Sequence, residues 1–230
     1  MSIAAGFWSR ALDFVFPPRC VACRSFGSFL CEACLASTPH ADGLRCYRCW
    51  QPGRADYCLS CYAHPPSFRG LRSAFVYSGA SRAAVHALKF GGVSALVPAM
   101  AAPMVEILEH WSPQVDVIVP VPLGGMRKRV RGYNQAELLA REISRGTGLA
   151  VDTGLLRRAR STPPQARQAD ARARRRNIAG AFEADRRATH RNVLLVDDVV
   201  TTGATMDACS RTLLDAGAKA VFCLTFTREH

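Results

Sequence analysis

Two adjacent carboxylates and a loop of small residues follow an apolar run late in the chain. The stretch from 193 to 205 reads VLLVDDVVTTGAT. Open parallel sheets bind ligands at the carboxyl ends of their strands, which is where Asp197 and Asp198 would lie. Two such carboxylates could accept hydrogen bonds from the vicinal hydroxyls of a ribose or from the water shell of a magnesium ion.

The loop after the acidic pair is suited to an anion. Backbone N–H groups at the start of a helix point toward a bound anion, and the helix dipole favours negative charge there. Thr201, Thr202 and Thr205 add hydroxyl donors, and Gly203 lets the backbone approach closely. A phosphate site beside a diol site predicts a ribose 5-phosphate ligand. The sequence has no GxxxxGK[ST] loop and no DxD at this strand end, which argues against a nucleoside triphosphatase and a phospho-aspartate phosphatase.

Eight of the ten cysteines form four CxxC pairs in the N-terminal part of the chain. Two pairs can close a tetrahedral four-thiolate site around one zinc ion, so the four pairs predict two structural zinc sites. Neighbouring pairs or alternate pairs could share a metal, and gaps of seven and eight residues favour neighbours because they suit a β-hairpin. Disulfides are disfavoured without an export signal. The predicted ligands are Cys20, Cys23, Cys31, Cys34, Cys46, Cys49, Cys58 and Cys61.

The composition is that of a folded basic protein. Hydrophobic residues make up 49% of the 230 residues, and the formal net charge is +12. Such a charge favours anionic partners, either phosphate-rich small molecules or nucleic acid, although a solvated basic surface is the alternative. The N-terminus does not read as a secretory signal, and no apolar segment is long enough to cross a bilayer. We therefore expect a cytoplasmic protein without a membrane span.

The apolar pattern divides the chain into three parts. Residues 1–16 are predicted to form an amphipathic helix, 17–64 a double zinc ribbon, and 68–230 an α/β unit. The joint between the last two is the proline-rich HPPSFRG. In the α/β unit apolar strands alternate with helices, and the helix NQAELLAREISRG is predicted to end at Gly146. This alternation predicts a mainly parallel sheet with helices on both faces.

Several motifs resemble those of known families. The stretch from 193 to 205 resembles the phosphoribosyl pyrophosphate signature of type I phosphoribosyltransferases. VPVP at 119–122, followed by LGG, is similar to the pyrophosphate loop of amidophosphoribosyltransferases. With RGYNQAELLA, ALKFGG, TPPQ, RRRNIAGAF and the cysteine pairs, the chain is identified as similar to the ComF family, bacterial double-zinc-ribbon proteins tied to natural competence. The resemblance covers nearly the whole chain from Cys20 to Arg228.

The resemblance implies a type I phosphoribosyltransferase-like sheet that binds phosphoribosyl pyrophosphate with Mg²⁺. The ligand-binding residues it implies are Asp197, Asp198, Thr201, Thr202, Gly203, Ala204 and Thr205. Its pyrophosphate-binding candidates are Val121, Pro122, Arg131 and Lys89. No catalytic residue and no acceptor substrate follow from it. Two functions stay open: a phosphoribosyltransferase of unknown acceptor, or a non-catalytic competence factor that binds single-stranded DNA and senses a nucleotide.

Contacts to single-stranded DNA, and to competence proteins, would need a suitable surface. The basic side chains of Arg127, Lys128 and Arg129, and the arginine-rich segment from 157 to 177, could contact phosphates. Four aromatic residues interleave with the second cysteine unit and could stack on bases. Packing inside the small ribbon core is the favoured interpretation for these four, which are Tyr47, Trp50, Tyr57 and Tyr62.

Overall fold

The computed structural model describes residues 17–53, 56–159 and 180–229. The helix predicted at 1–16, the TPPQ motif and most of RRRNIAGAF lie outside the described residues. The helices within those ranges are α1 (Glu32–Ala36), α2 (Leu59–Ala63), α3 (Gly79–Phe90), α4 (Val97–Trp111), α5 (Gly125–Arg131), α6 (Gln135–Thr147) and α7 (Ala204–Asp215). The strands are β1 (Gly70–Val76), β2 (Val117–Pro120), β3 (Leu156–Arg158), β4 (Phe182–Ala184), β5 (Asn192–Val200) and β6 (Ala220–Arg228).

Four strands form one parallel sheet in the order β1, β6, β5, β2. Strands β3 and β4 form a separate antiparallel pair. The apolar residues Val193 to Val196 of β5 are buried, because helices cover both faces of the sheet. An α/β parallel sheet that follows an N-terminal pair of four-cysteine units confirms the predicted fold class.

The two faces of the sheet pack into two different apolar cores. Leu194 and Val196 of β5 pack with residues of α3, α4 and α6, whereas Val193 and Leu195 pack with residues of α7. Successive side chains of a strand point to opposite faces. Continuing this alternation past Val196 directs Asp197 to the α7 face and Asp198 to the α3 face.

Helix α6 ends two residues later than expected. Its C-cap is Gly148, whose φ of 74° lies in the left-handed region that glycine adopts without strain. Gly146, the predicted stop, is inside the helix, and a Cβ built there would lie 3.2 Å from Cγ2 of Val105. Gly146 therefore allows α6 to approach α4 closely, and Gly148 ends the helix.

Helix α5 was not expected from the sequence, and its composition explains why. None of its seven residues, GMRKRVR, is buried, so there is no apolar stripe to indicate a helix. By contrast, α4 and β6 occupy the stretches VPAMAAPMVEILEHW and AVFCLTFTR, as predicted. Among the described residues, no helix is both long and apolar enough to span a membrane.

The cysteine-rich segment contacts the sheet directly. Arg48 donates from Nε to the carbonyl oxygen of Phe68 at 3.0 Å. Arg228, the last residue of β6, donates from Nη1 to the carbonyl oxygen of Cys49 at 2.6 Å. On the other side, Cys20 and Leu30 belong to the same buried cluster as α3 and α4. The domain boundary between residues 64 and 68 stays a prediction.

Candidate functional site

Two clusters of four cysteine sulfurs lie in the N-terminal segment. Within each cluster all four Sγ atoms lie within 4.8 Å of one another. One cluster holds the first four CxxC cysteines, Cys20, Cys23, Cys31 and Cys34, and the other holds Cys46, Cys49, Cys58 and Cys61. Neighbouring pairs thus come together, and alternate pairs do not.

The sulfur spacing fits zinc. Sγ of Cys23 lies 3.7 Å from Sγ of Cys31, and Sγ of Cys49 lies 3.6 Å from Sγ of Cys58. A tetrahedron with zinc–sulfur bonds of about 2.3 Å has edges of about 3.8 Å, so the clusters have the required size. Four thiolates complete the coordination of zinc, so a metal bound here would have a structural role.

Backbone hydrogen bonds favour the ionised form of one cysteine in each cluster. Burial raises the pKa of Cys20 and of Cys46, but backbone N–H donors outweigh it and lower both pKa values to about 6. One such donor is the Cys58 amide, 3.3 Å from Sγ of Cys46. The thiol of Cys34 resists ionisation, since hydrogen bonds with neighbouring cysteine sulfurs raise its pKa to about 12. A metal cation is therefore needed before all four thiols ionise together.

The aromatic residues of the second unit pack less than expected. Trp50 does pack: its Nε1 donates to the carbonyl oxygen of Ala41 at 2.7 Å, and the guanidinium of Arg72 lies 4.0 Å from its ring. The expectation of core packing is wrong for three others, because the unit is too short to cover them. Their exposed fractions are 53% for Tyr47, 53% for Tyr57 and 84% for Tyr62.

Asp198 is a buried carboxylate paired with a lysine. Its Oδ2 lies 2.9 Å from Nζ of Lys89, and its side chain is 5% exposed. This oxygen has almost no solvent-accessible surface in the ligand-free protein. A ligand would therefore have to displace Lys89 to reach it.

Asp197 lies on the other face and has a different environment. Its Oδ1 accepts a hydrogen bond from the backbone N–H of Asp198 at 2.9 Å. Although Asp197 is partly exposed, burial raises the pKa of its carboxyl, and the charge of Asp198 raises it further. Lys89 lowers this pKa only in part, so its value is about 8. The direction of this shift favours the protonated carboxyl in the ligand-free protein. A bound cation would favour the ionised form.

The loop after β5 encloses a small cavity. It has a volume of about 80 Å³ and is lined by Asp197 and by residues 199–206. Gly203 is the N-cap of the twelve-residue helix α7 and has a φ of 79°. A Cβ built there meets no atom within 4 Å, so backbone conformation rather than space requires glycine at this position. The cavity brings Asp197, the threonine loop and the first turn of α7 together.

The basic pyrophosphate candidates gather beside Asp198. Lys89 contacts it directly, at the C-terminal end of α3. Burial lowers the pKa of Arg131, and the nearby charge of Asp198 opposes that shift, so this guanidinium also lies within electrostatic reach of the carboxylate. Arg131 donates from Nη1 to Oε1 of Gln135 at 2.9 Å and lies 5.1 Å from the ring of Phe90. Two cations therefore flank the α3 side of the acidic pair.

Val121 and Pro122 follow β2 at the same edge of the sheet. The backbone of Val121 is already engaged: its N–H donates to Val196 at 2.9 Å, and its carbonyl oxygen accepts from Nδ2 of Asn134 at 3.0 Å. Asn134 and Tyr133 were not singled out from the sequence. The hydroxyl of Tyr133 donates to the carbonyl oxygen of Leu88 at 2.6 Å, which holds the end of α3 in place. The RGYN motif was the available signal for both residues.

Two solved structures resemble part of this chain. One is the glutamine phosphoribosylpyrophosphate amidotransferase of B. subtilis, complexed with ADP and GMP, which is 19% identical with a TM-score of 0.39 and covers 56% of this chain and 26% of that chain. Another is the adenine phosphoribosyltransferase of Saccharomyces cerevisiae, which is 18% identical with a TM-score of 0.37 and covers 58% of this chain and 70% of that chain.

Sequence comparisons give relatives over nearly the full length. Residues 11–63 match the model of the double zinc ribbon domain. DNA utilization protein YhgH of Escherichia coli (strain K12) is 32% identical over 224 residues, or 92% of this chain and 98% of that protein. Competence protein ComFC of Bacillus subtilis (strain 168) is 27% identical over 228 residues, or 95% of this chain and 87% of that protein. The chain belongs to the ComF family, together with these competence and DNA utilization proteins.

Proposed function

We propose that the carboxyl end of β5 and the first turn of α7 bind the ribose 5-phosphate part of phosphoribosyl pyrophosphate, together with Mg²⁺. The observation that carries this proposal is the 80 Å³ cavity, which joins Asp197 to the threonine loop and to the start of α7. Amide N–H groups at the start of a twelve-residue helix suit a phosphate. The phosphoribosyl ligand joins such a phosphate to a diol in one molecule.

The acidic pair would hold the ribose and the metal. Carboxylate oxygens accept hydrogen bonds from hydroxyls and hold Mg²⁺ directly or through its water. Asp198 fits this role once Lys89 moves from its carboxylate toward the ligand. Lys89 and Arg131 lie on the α3 side, where they could neutralise the pyrophosphate that the ligand carries. In the ligand-free protein Lys89 balances the charge of Asp198 instead.

Ligand binding is the function that this geometry supports best. Transfer of the phosphoribosyl group would need no protein nucleophile, because the reaction depends on positioning and charge stabilisation at the ribose. The acceptor pocket of such an enzyme is not defined by the described residues. A protein with this site could transfer the phosphoribosyl group to an acceptor. Alternatively, it could bind the ligand as a sensor without turnover.

Calorimetry with phosphoribosyl pyrophosphate and Mg²⁺ tests the site. The parent protein should bind, and a double variant with Asp197→Asn and Asp198→Asn should lose most of the affinity while keeping its zinc content and circular dichroism. Binding by the double variant as tight as by the parent would show that the pair is structural. Pyrophosphate release in the presence of candidate acceptors then separates transfer from sensing.

A second function, binding of single-stranded DNA in competence, has its own supporting surface. Helix α5 exposes the basic side chains of Arg127, Lys128 and Arg129, and its Met126 and Val130 are 71% and 84% exposed. Basic groups beside exposed apolar side chains suit a backbone of phosphates with unstacked bases. The relatives named for DNA utilization and competence support the same role. We place this role in the cytoplasm, where the cysteine clusters would stay reduced.

Fluorescence anisotropy with a labelled single strand tests this surface. Affinity should fall steeply with added salt, because phosphate contacts release counterions. Replacing Arg127, Lys128 and Arg129 with alanine should weaken binding far more than replacing three exposed residues of the same types elsewhere, Arg186, Arg191 and Lys219. Equal losses from the two triple variants would mean that only net charge matters.

A further inference from the structure

A groove lies between the end of α3 and helix α5, and we call it the α3–α5 groove. Its volume is about 570 Å³. Small-molecule sites span about 300 to 1,000 Å³, so the groove can hold a ligand of the size of one nucleotide. Both elements and the segments that follow them supply the lining, which consists of residues 89–92, Met126, Arg127, Val130, Arg131 and Tyr133.

The apolar side chains of the groove are accessible to a ligand. Phe90, the last residue of α3, is 68% exposed, and Met126 and Val130 of α5 are exposed as well. A cation already lies beside the Phe90 ring, since the guanidinium of Arg131 is 5.1 Å from its centre. Exposed aromatic rings stack on the bases of single strands, and arginine adds to this stacking. An unstacked base can therefore reach Phe90 from solvent.

The two sides of the groove differ in charge. The C-terminal end of α3 carries a partial negative charge, which disfavours a phosphate beside Phe90. On the α5 side, Arg127 is exposed and Arg131 is partly exposed. None of the described residues of the lining is acidic. A base therefore suits the α3 side, and the phosphates of a strand suit the α5 side.

Two cations of the groove also lie beside the acidic pair. Lys89 lines the groove, and its Nζ lies 2.9 Å from Oδ2 of Asp198. Arg131 lines the groove too and lies within electrostatic reach of the same carboxylate. The proposed phosphoribosyl ligand would need both cations for its pyrophosphate, and a strand in the groove would need them for its phosphates. The two ligands would therefore draw on one set of positive charges.

We propose that the α3–α5 groove holds one nucleotide of a single DNA strand, and that the strand and phosphoribosyl pyrophosphate exclude each other. The base packs against Phe90, and the phosphates contact Arg127 and Arg131. This inference rests on both proposed functions and adds the coupling between them. Coupling between two binding sites is reciprocal, so each ligand weakens the other by the same factor. Loss of one shared charged hydrogen bond predicts a factor of about ten to a hundred.

Fluorescence anisotropy with a labelled oligothymidylate tests the exclusion on the zinc-loaded full chain, with Mg²⁺ and at constant ionic strength. Saturating phosphoribosyl pyrophosphate should weaken strand binding by the factor given above. The double variant with Asp197→Asn and Asp198→Asn is the control for a general ionic effect. It should not bind phosphoribosyl pyrophosphate, so adding this ligand should leave its affinity for the strand unchanged.

A single change gives a second readout that needs no phosphoribosyl ligand. Asp198→Asn removes the carboxylate that pairs with Lys89, so the freed lysine should tighten strand binding about two- to fivefold. The same change weakens phosphoribosyl pyrophosphate binding, so it should move the two affinities in opposite directions. Asp215→Asn removes an exposed carboxylate at the far end of α7 and should have little effect on either affinity.

The position of the strand is tested at the aromatic ring. Phe90→Ala should weaken strand binding about five- to a hundredfold, because a stacking partner is lost, and should leave phosphoribosyl pyrophosphate binding unchanged. Phe26→Ala is the matched control, since it removes another exposed phenylalanine ring that lies outside the groove. This variant should bind the strand like the parent.

The outcomes separate this proposal from the functions on which it rests. Independent binding of both ligands by the parent would overturn the exclusion and leave both functions intact. Equal displacement of the strand from the parent and from the double variant would reveal an ionic effect and overturn it as well. Unchanged strand affinity in Phe90→Ala would place the DNA outside the groove. A parent that binds only one of the two ligands would refute the exclusion together with the function of the missing ligand.

Discussion

The cysteine clusters and the acidic pair both collect anionic donors, but they arrange them in opposite ways. In each cluster four sulfurs face one another within 4.8 Å. At the end of β5, Asp197 and Asp198 point to opposite faces, one toward the loop cavity and the other toward Lys89. Converging donors are completed by a single cation and can hold a fold together. Diverging donors each need a separate partner, which makes the strand end a place for a ligand with several different groups.

The two regions also differ in the direction in which their surroundings shift the pKa of their acidic groups. In the clusters, backbone N–H groups lower the pKa of Cys20 and Cys46 to about 6 despite burial, so an anion is ready before any metal arrives. At β5, burial and a neighbouring carboxylate raise the pKa of Asp197 to about 8. One sulfur of each cluster is therefore readily ionised, whereas burial opposes ionisation of Asp197.

Loss of a converging donor should give the largest effect. Cys31→Ser and Cys58→Ser alter the same position in the two units, and each should remove one of two zinc ions, measured by elemental analysis. Cys58→Ser should also lower the free energy of unfolding, because loss of this metal loosens Cys49, whose carbonyl oxygen accepts a hydrogen bond from the buried Arg228. Cys31→Ser should leave the sheet folded. A single zinc in the parent, or loss of both ions from either change, would contradict two independent clusters.

Loss of one diverging carboxylate should spare the fold and affect the ligand. Asp198→Asn removes the charge but keeps the size, and it should weaken phosphoribosyl pyrophosphate binding by about ten- to a hundredfold in calorimetry. Thermal stability should fall only modestly, because Lys89 loses its partner but is 24% exposed and can be solvated by water. Asp215→Asn, which changes a carboxylate at the far end of α7, is the matched control and should bind normally. A large loss of stability in Asp198→Asn would show that this residue has a structural role.

A change in the loop should divide its effect between stability and binding. Gly203→Ala places a side chain at a φ of 79° and should cost about 1 to 2 kcal/mol of stability. Gly148→Ala makes the same change at a φ of 74°, also with no atom within 4 Å of the new Cβ, and should cost a similar amount. Only the change at 203 should weaken phosphoribosyl pyrophosphate binding. Equal binding by the two variants would show that the loop does not hold the phosphate.

The pH dependence should be the smallest effect. Because the folded-state pKa of Asp197 is raised to about 8, the ligand-free fold binds more protons than the unfolded chain. This contribution to stability is present at low pH and is lost as pH rises from about 4 toward 8. Ligand binding should release up to one proton per chain and tighten over the same range. Calorimetry in buffers of different ionisation enthalpy measures the release, and Asp197→Asn should abolish it.

Long, regular patterns in the sequence were sufficient to predict the sheet and its helices. The apolar run of β5 and the helical period of α4 each predict one structure, and the four CxxC pairs predict two four-cysteine metal sites. Helix α5 was missed because it buries nothing. The acidic pair was predicted as a single unit, although the alternation of a strand separates its two side chains.

Contacts between distant segments could not be predicted. Nothing near Lys89 in the sequence indicates Asp198 as its partner, because that pairing depends on where α3 ends relative to β5. A larger cavity, lined by residues of the second cysteine unit and of α7 together with Arg228 of β6, likewise joins segments that are distant in the sequence. Tertiary packing brings these parts together, and no local pattern in the sequence encodes that packing.

The position of β6 has a consequence for how the chain is made. Of the strands that the structure describes, β6 is synthesised last, yet it lies inside the sheet between β1 and β5. On the ribosome each cysteine cluster can close early, since its ligands are near in sequence, but β1 has no sheet neighbour until 220–228 emerge. The same nine residues deliver Arg228 to Cys49, a contact that spans 179 positions. A nascent chain lacking its final strand would thus carry metal-loaded clusters on a sheet that has not formed.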